Sequence, residues 1–232
     1  EISKKIPTPN AILCISAHWY TKGTYVTSGE MQKTIHDFYG FPQELFEVEY
    51  PAKGNPELAK ETAELLVPTS VIETDSWGLD HGAWSVIKHL YPSANIPVIQ
   101  MSIDYTQPAQ YHFDLAKKLQ KLREKGILII GSGNIVHNLR MIDWKNINTV
   151  GAGWDWAIEA RAKTNEWILD GNFQNLIHFE KQGAALQNAI PTPDHYLPLI
   201  YTLGLKEKND NISLFNDELI GGSLSMTSVM ID

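Results

Sequence analysis

Residues 11–18 read Ala11-Ile12-Leu13-Cys14-Ile15-Ser16-Ala17-His18, an apolar run that ends on a histidine. Its apolarity is continuous rather than alternating, which is the pattern of a strand covered on both faces. Runs of the same kind lie at residues 70–74, 96–102 and 127–131. Helical patterns separate them. Asn55-Pro56 places a capping side chain before a proline suited to the first helical position, and Leu58, Ala59, Leu65 and Leu66 share a face. Residues 108–125 carry Leu115, Leu119 and Leu122 at helical spacing, with Gly126 as the stop. Strand, helix and strand in that order form a crossover unit, so part of the sheet is expected to be parallel. Later segments at 154–169 and 193–203 read as helices, and 222–231 reads as a final strand. The expected fold is α/β, a central mixed sheet flanked by helices.

The chain has 232 residues, with 19 basic against 27 acidic side chains and a formal charge of −8. That balance argues against a nucleic-acid partner, which needs clustered Lys and Arg. No apolar run approaches the length of a membrane span. No linker or repeat divides the sequence, so residues 1–232 read as a single catalytic domain. The lone cysteine, Cys14, excludes an internal disulfide framework and is compatible with a reducing compartment, here expected to be cytoplasmic. Within an apolar strand it reads as core rather than nucleophile.

Eight histidines are the other compositional signal. In open α/β sheets, ligands gather where loops leave the carboxyl ends of strands. His18 closes the first strand, and His137 follows the fourth in Gly131-Ser132-Gly133-Asn134-Ile135-Val136-His137, where glycines allow a tight exit and a close approach. His195 lies in Pro191-Thr192-Pro193-Asp194-His195-Tyr196, where Thr192 is placed to cap and Pro193 to start a helix. The helix dipole there disfavours a protonated imidazole. His81 sits at another helix start and His36 in a loop, whereas His89, His112 and His178 read as ordinary surface or half-buried residues. Five junction histidines in one domain favour a metal site. No local metal motif accompanies them, and no Gly-x-Ser-x-Gly elbow points to a serine hydrolase. Trp19, Trp77 and Tyr196, beside these histidines, are candidates for an aromatic pocket wall or plain core. A zinc-dependent hydrolase, or a ligand-binding protein without catalysis on the same scaffold, remain open alternatives on the residues alone.

The same motifs resemble those of the DODA-type, class III extradiol aromatic ring-opening dioxygenases. The matching pieces are Ser16-Ala17-His18-Trp19, Thr34-Ile35-His36-Asp37-Phe38-Tyr39-Gly40-Phe41-Pro42, Tyr50-Pro51-Ala52 and Trp77-Gly78-Leu79-Asp80-His81-Gly82. They continue through Gly133-Asn134-Ile135-Val136-His137-Asn138-Leu139-Arg140, Thr192-Pro193-Asp194-His195-Tyr196-Leu197-Pro198 and Gly222-Ser223-Leu224-Ser225-Met226. The resemblance implies a divalent metal, Fe2+ for ring cleavage or Zn2+, with a small-molecule catechol such as DOPA and O2 as substrates. It implies His18, His137 and His195 as metal ligands, with His137 also matching an acid–base catalyst. His81 matches a catalytic residue that supports the metal or touches substrate, and His36 is expected to contact substrate. Arg140 and Lys22 are the cations nearest these motifs for a carboxylated side chain. The family's first strand ends in a Gly-His-Gly-Ser-Pro type motif that supplies a further ligand histidine. No such motif occurs here, and the chain opens at Glu1 without an initiator Met or signal-peptide pattern. The resemblance therefore implies a preceding segment that carries that histidine.

Overall fold

Strand β1 (Ala11–Thr21) holds the apolar run in the computed structural model, which describes residues 2–232, and residues 11–17 are all buried. It belongs to the first of two compact units, formed by residues up to Gln107 together with Leu115–Ser132. This unit adds β2 (Thr24–Thr27), α1 (Gln43–Phe46), α2 (Pro56–Leu65), β3 (Val71–Thr74), α3 (His81–Leu90) and β4 (Val98–Asp104). It is completed by most of α4 (Ala109–Glu124) and by β5 (Ile127–Ser132). The five strands form one mixed sheet in the order β3-β2-β4-β1-β5. β1 runs parallel to β4 and β5, and β2 runs parallel to β3 but meets β4 antiparallel at Val26 and Met101. The expected α/β architecture, with a central mixed sheet and flanking helices, is what the chain forms.

Alternation along β1 serves both faces. Ile12 and Cys14 share a core with Ala83, Trp84 and Ile87 of α3, while Leu13 and Ile15 on the opposite face are equally buried. Burial pushes the Cys14 thiol well above its ordinary value, in keeping with a core role. The Asn55 side chain caps α2 by accepting from the Leu58 amide at 3.0 Å, and Gly126 ends α4 at φ +73°. Strand β2 has only four residues, too few for a periodic signal, and follows a turn at Gly23 (φ +86°).

The second unit comprises Pro108–Asp114 and Gly133–Asp232. It contains α5 (Asp155–Leu169), α6 (Phe173–Ile177), α7 (Ala184–Ala189), α8 (Leu197–Gly204), β6 (Ile212–Phe215), β7 (Leu219–Ile220), β8 (Leu224–Ser225) and β9 (Ser228–Ile231). Three sequence expectations change here. Residues 222–231 are not one strand: β8 pairs with β7 and β9 with β6 in two small antiparallel sheets. The break between them follows from Met226 bonding Glu218 and from the Thr227 hydroxyl reaching Asp217. Helix α8 starts at Leu197 rather than Pro193, because the Pro193 carbonyl accepts from Tyr196 and Leu197 in a separate turn. His112 is neither a surface nor a half-buried residue; it is fully buried, with Nδ1 hydrogen-bonded to the Tyr201 hydroxyl at 2.9 Å. His89 and His178 are exposed, as expected.

Candidate metal and catalytic sites

In the first unit, β1 shifts its register against β4 between Ile15 and Tyr20 while Ser16 still pairs with Ser132 of β5. His18 therefore lies at this irregularity within β1, which runs on to Thr21 rather than closing at His18. A loop is fastened beside it. Ile35 donates to Leu79 and Leu79 to Lys33, both at 2.8 Å, and a side chain at Gly78 would put its Cβ 2.2 Å from the Lys33 carbonyl. This tie delivers Asp37 to the start of α3. One Asp37 oxygen accepts from the His81 amide at 2.8 Å and from His81 Nδ1 at 3.0 Å, and the other lies 3.5 Å from His18 Nδ1. The rings of His18 and His81 have centroids 3.9 Å apart. Burial would raise the Asp37 carboxyl, but the hydrogen bonds from His81 outweigh it and the net shift is downward. For His81 the bond to Asp37 wins over burial and raises the imidazole.

Asp80 holds this junction from beneath. It is fully buried and caps α3 by accepting from the Ala83 amide at 3.0 Å. The Ser16 hydroxyl donates to the same oxygen at 2.7 Å, and the Gln100 side-chain amide donates to the other. Burial pushes its carboxyl up against these bonds. Gly82 leaves room for His18: a Cβ there would lie 2.9 Å from its ring and 2.7 Å from the Ser16 hydroxyl.

His36 stands apart from this cluster. Its Nε2 hydrogen-bonds the Val48 carbonyl at 2.9 Å, and its ring packs among Phe38, Phe46 and Trp84. Trp19 stacks on Trp77 with centroids 5.7 Å apart, whereas Tyr196 in the second unit is core, with its hydroxyl on the Leu176 carbonyl. Lys22 and Arg140 are both exposed.

The second unit brings His137 and His195 together, their rings parallel and 3.8 Å apart. Backbone bonds set this pair: His137 donates to Ala189 at 2.8 Å and Asn134 donates to His195 at 2.7 Å. Gly133 is required by that close approach, since a Cβ would meet the His195 carbonyl at 2.2 Å. The glycine thus serves this backbone packing. His195 Nδ1 donates to Asp194, in the turn before α8 rather than within its first turn. Thr192 also bonds Asp194 instead of capping the helix. Burial works to raise the Asp194 carboxyl, yet the bonds from His195 and Thr192 bring it down to about 2. Burial, and then the charge of His195, lower the His137 imidazole to about 4.

Both groups suit a divalent transition metal. Ligand atoms of His18, Asp37 and His81 lie within 4.8 Å of one another, and imidazoles with a carboxylate form a donor set used by iron and zinc. His195 has its Nδ1 held by a carboxylate, which fixes the tautomer and leaves Nε2 for a metal. Asp37, Asp80 and Asp194 were not anticipated as site residues. The available signal was adjacency, since each carboxylate directly neighbours a junction histidine in the chain.

Residues 1–225 match the family model for the catalytic LigB subunit of aromatic ring-opening dioxygenase. A 4,5-DOPA dioxygenase extradiol from Escherichia coli strain K12 is 42% identical over 234 residues, covering 100% of this chain and 85% of that protein. A 4,5-DOPA dioxygenase extradiol from Beta vulgaris is 34% identical, covering 95% of this chain and 82% of that one. A crystal structure of an uncharacterised Escherichia coli K12 protein superposes with a TM-score of 0.82 at 37% identity, covering 98% of this chain and 88% of that chain. The chain belongs to the LigB-type aromatic ring-opening dioxygenases, a metal-dependent family, and is an extradiol ring-cleaving enzyme.

Proposed function

We propose that the resident metal is Fe2+ and that the substrate is a catechol with a charged side chain, such as DOPA. The observation that carries this reading is the close grouping of His18 and His81 about Asp37, which places a metal-binding imidazole beside a carboxylate that can hold it and a second imidazole that can face substrate. Dioxygen chemistry calls for a redox-active ion, which Zn2+ is not, and imidazole ligands accommodate iron. The names of the relatives from Escherichia coli and Beta vulgaris support a DOPA-like substrate. When bound, the metal supplies the electron transfer between catecholate and oxygen.

The protein's own groups then divide the remaining work. His18 is assigned as a metal ligand, with Asp37 fixing its ring, and His195 is assigned likewise, with Asp194 in the fixing role. His137, neutral at physiological pH because its imidazole is lowered to about 4, is assigned to accept a proton from a catechol hydroxyl and to return it later. His81, held at Nδ1 by Asp37, presents its other nitrogen as a hydrogen-bonding group for substrate or oxygen. His36 supports the surrounding wall through Val48.

The test is anaerobic loading with Fe2+ or Zn2+, followed by oxygen uptake on a panel of catechols that includes DOPA. Stoichiometric uptake with a ring-opened product from the Fe2+ form alone is the expected result. Hydrolytic activity of the Zn2+ form without oxygen consumption would overturn it.

A further inference from the structure

A cavity of about 350 Å3 opens in the first unit with His81 at its edge. Its walls are aromatic and fixed. Trp84 donates its indole N–H to the Ile35 carbonyl at 2.9 Å, and Phe38 meets the His81 ring edge-on at 5.4 Å. Phe38 also packs against Phe41 at 5.4 Å, so three aromatic rings line the space. Phe41, at the mouth, remains 57% exposed, an apolar surface that the folded unit leaves uncovered. A volume of this size falls in the range of small-molecule sites, which are mostly apolar with a few polar groups that orient the ligand.

One of those polar groups is a cation. His81, Trp84, Ser85 and Lys88 stand at helical spacing along α3 and all line the cavity. Lys88 is half-buried, and it pairs with no carboxylate among the described residues. Seven residues of helix separate His81 from Lys88, or about 10 Å. The cavity therefore has the His81 imidazole at one end, largely apolar walls, and the unspent charge of Lys88 beside His89 one helical stretch away. In a chain of net charge −8, an unpaired half-buried lysine in an apolar cavity is a selective feature for an anion.

We propose that this cavity is an aryl-carboxylate site, with Lys88 as the specificity-determining cation for the ring-cleaving reaction. The substrate ring lies against Phe38 and Trp84 with its hydroxyl end toward His81, and its side-chain carboxylate pairs with Lys88. The assignment of the ligand as substrate rests on the ring-cleavage reading above. Exposed Lys22 and Arg140, the cations that sequence proximity suggested, line no part of this cavity.

The experiment is equilibrium binding, which needs no turnover. Metal-loaded native protein is titrated with 3-phenylpropionate and with its uncharged amide, 3-phenylpropanamide, by calorimetry and by quenching of tryptophan fluorescence. The same titrations follow on Lys88→Ala and Lys88→Arg, after thermal melts establish that both fold. Expected is a preference for the carboxylate of roughly tenfold in the native protein, typical of a charge-assisted hydrogen bond. That preference should vanish in Lys88→Ala and persist in Lys88→Arg. Equal affinities for the two ligands in the native protein, or a preference that survives Lys88→Ala, would overturn the proposal. Oxygen uptake is measured separately. Failure of every catechol to be consumed, beside an intact carboxylate preference, removes the ring-cleavage reading and still supports an aryl-carboxylate site at Lys88.

Discussion

His137 and His195 lie face to face, with ring planes inclined by only 7° and centroids 3.8 Å apart. Burial and, after it, the neighbouring His195 both disfavour a proton on His137 in this arrangement. Its pKa of about 4 reflects burial first and the charge of His195 second, with Asp194 opposing. An unfolded histidine titrates near 6.5, so between roughly pH 6.5 and 4 the unfolded chain binds the extra proton. Stability should therefore be highest above about pH 6.5 and fall as pH drops toward 4. Melting temperatures of native protein and His137→Phe across this window check the sign. The variant is expected to lose part of the acid-side decline, and an identical slope would remove His137 as its cause.

Removing the same imidazole tests its chemical role. His137→Ala is expected to lower kcat by about 10²–10⁴, the usual contribution of a positioned acid–base group. Bound metal, measured by elemental analysis, should stay at the native level. If metal is lost together with activity, His137 acts as a ligand.

Asp37 gives a complementary prediction. It accepts from His81 Nδ1 and from the His81 amide and faces His18 Nδ1, so an amide in its place must turn a donor toward one of these groups. Asp37→Asn should weaken metal affinity by about 10- to 100-fold, as measured by competition with a chelator. His18→Ala should lose the metal outright. Native affinity in Asp37→Asn would show that the carboxylate neither ligates nor orients.

The contrast between these residues shows what a single sequence conveys. β1 was legible because residues 11–17 bury both faces, and continuous apolarity is the direct consequence of that burial. The start of α2 was legible because Asn55 and Pro56 act locally, through bonds within one turn. Asp37, by contrast, acts across 44 positions on His81, and Asp80 across 64 on Ser16, so no local spacing records either pairing. His112 misled for a related reason: its burial depends on the Tyr201 hydroxyl, 89 positions away. Lys88 adjoins no junction histidine, and only the turn of α3 brings it onto one stripe with His81. The late start of α8 reflects a local competition, in which Thr192 and His195 both spend their donors on Asp194.

Asp80 offers a stability measurement. Every one of its bonds is a donor pointing at the carboxylate: Ser16 and Ala83 on one oxygen, Gln100 on the other. Asp80→Asn would face the Gln100 amide with a second amide donor, and Gln100 cannot turn without losing its own bond to the Asp80 backbone N–H. One buried donor is then left unsatisfied, at a cost of about 1–3 kcal/mol. Urea unfolding of the variant should show that loss with an unchanged m-value, and wild-type stability would mean the site rearranges freely.

Gly133→Ala tests whether the imidazole pair depends on backbone contact. The added methyl carbon would sit 2.2 Å from the His195 carbonyl and 2.9 Å from the Pro198 ring, neither of which is the free end of a flexible side chain. The chain must shift there, and the bond from Asn134 to His195 must lengthen or break. Overpacking of this kind costs about 1–3 kcal/mol. It should also move His195 relative to His137, so activity should fall by more than the lost stability explains. The decisive comparison uses Gly171→Ala, where φ is +69° but no atom lies within 4 Å of the added carbon. That variant carries backbone strain alone. It should lose stability while keeping native kcat, whereas equal kcat losses in both variants would show that the contact at Gly133 does not set the imidazole pair.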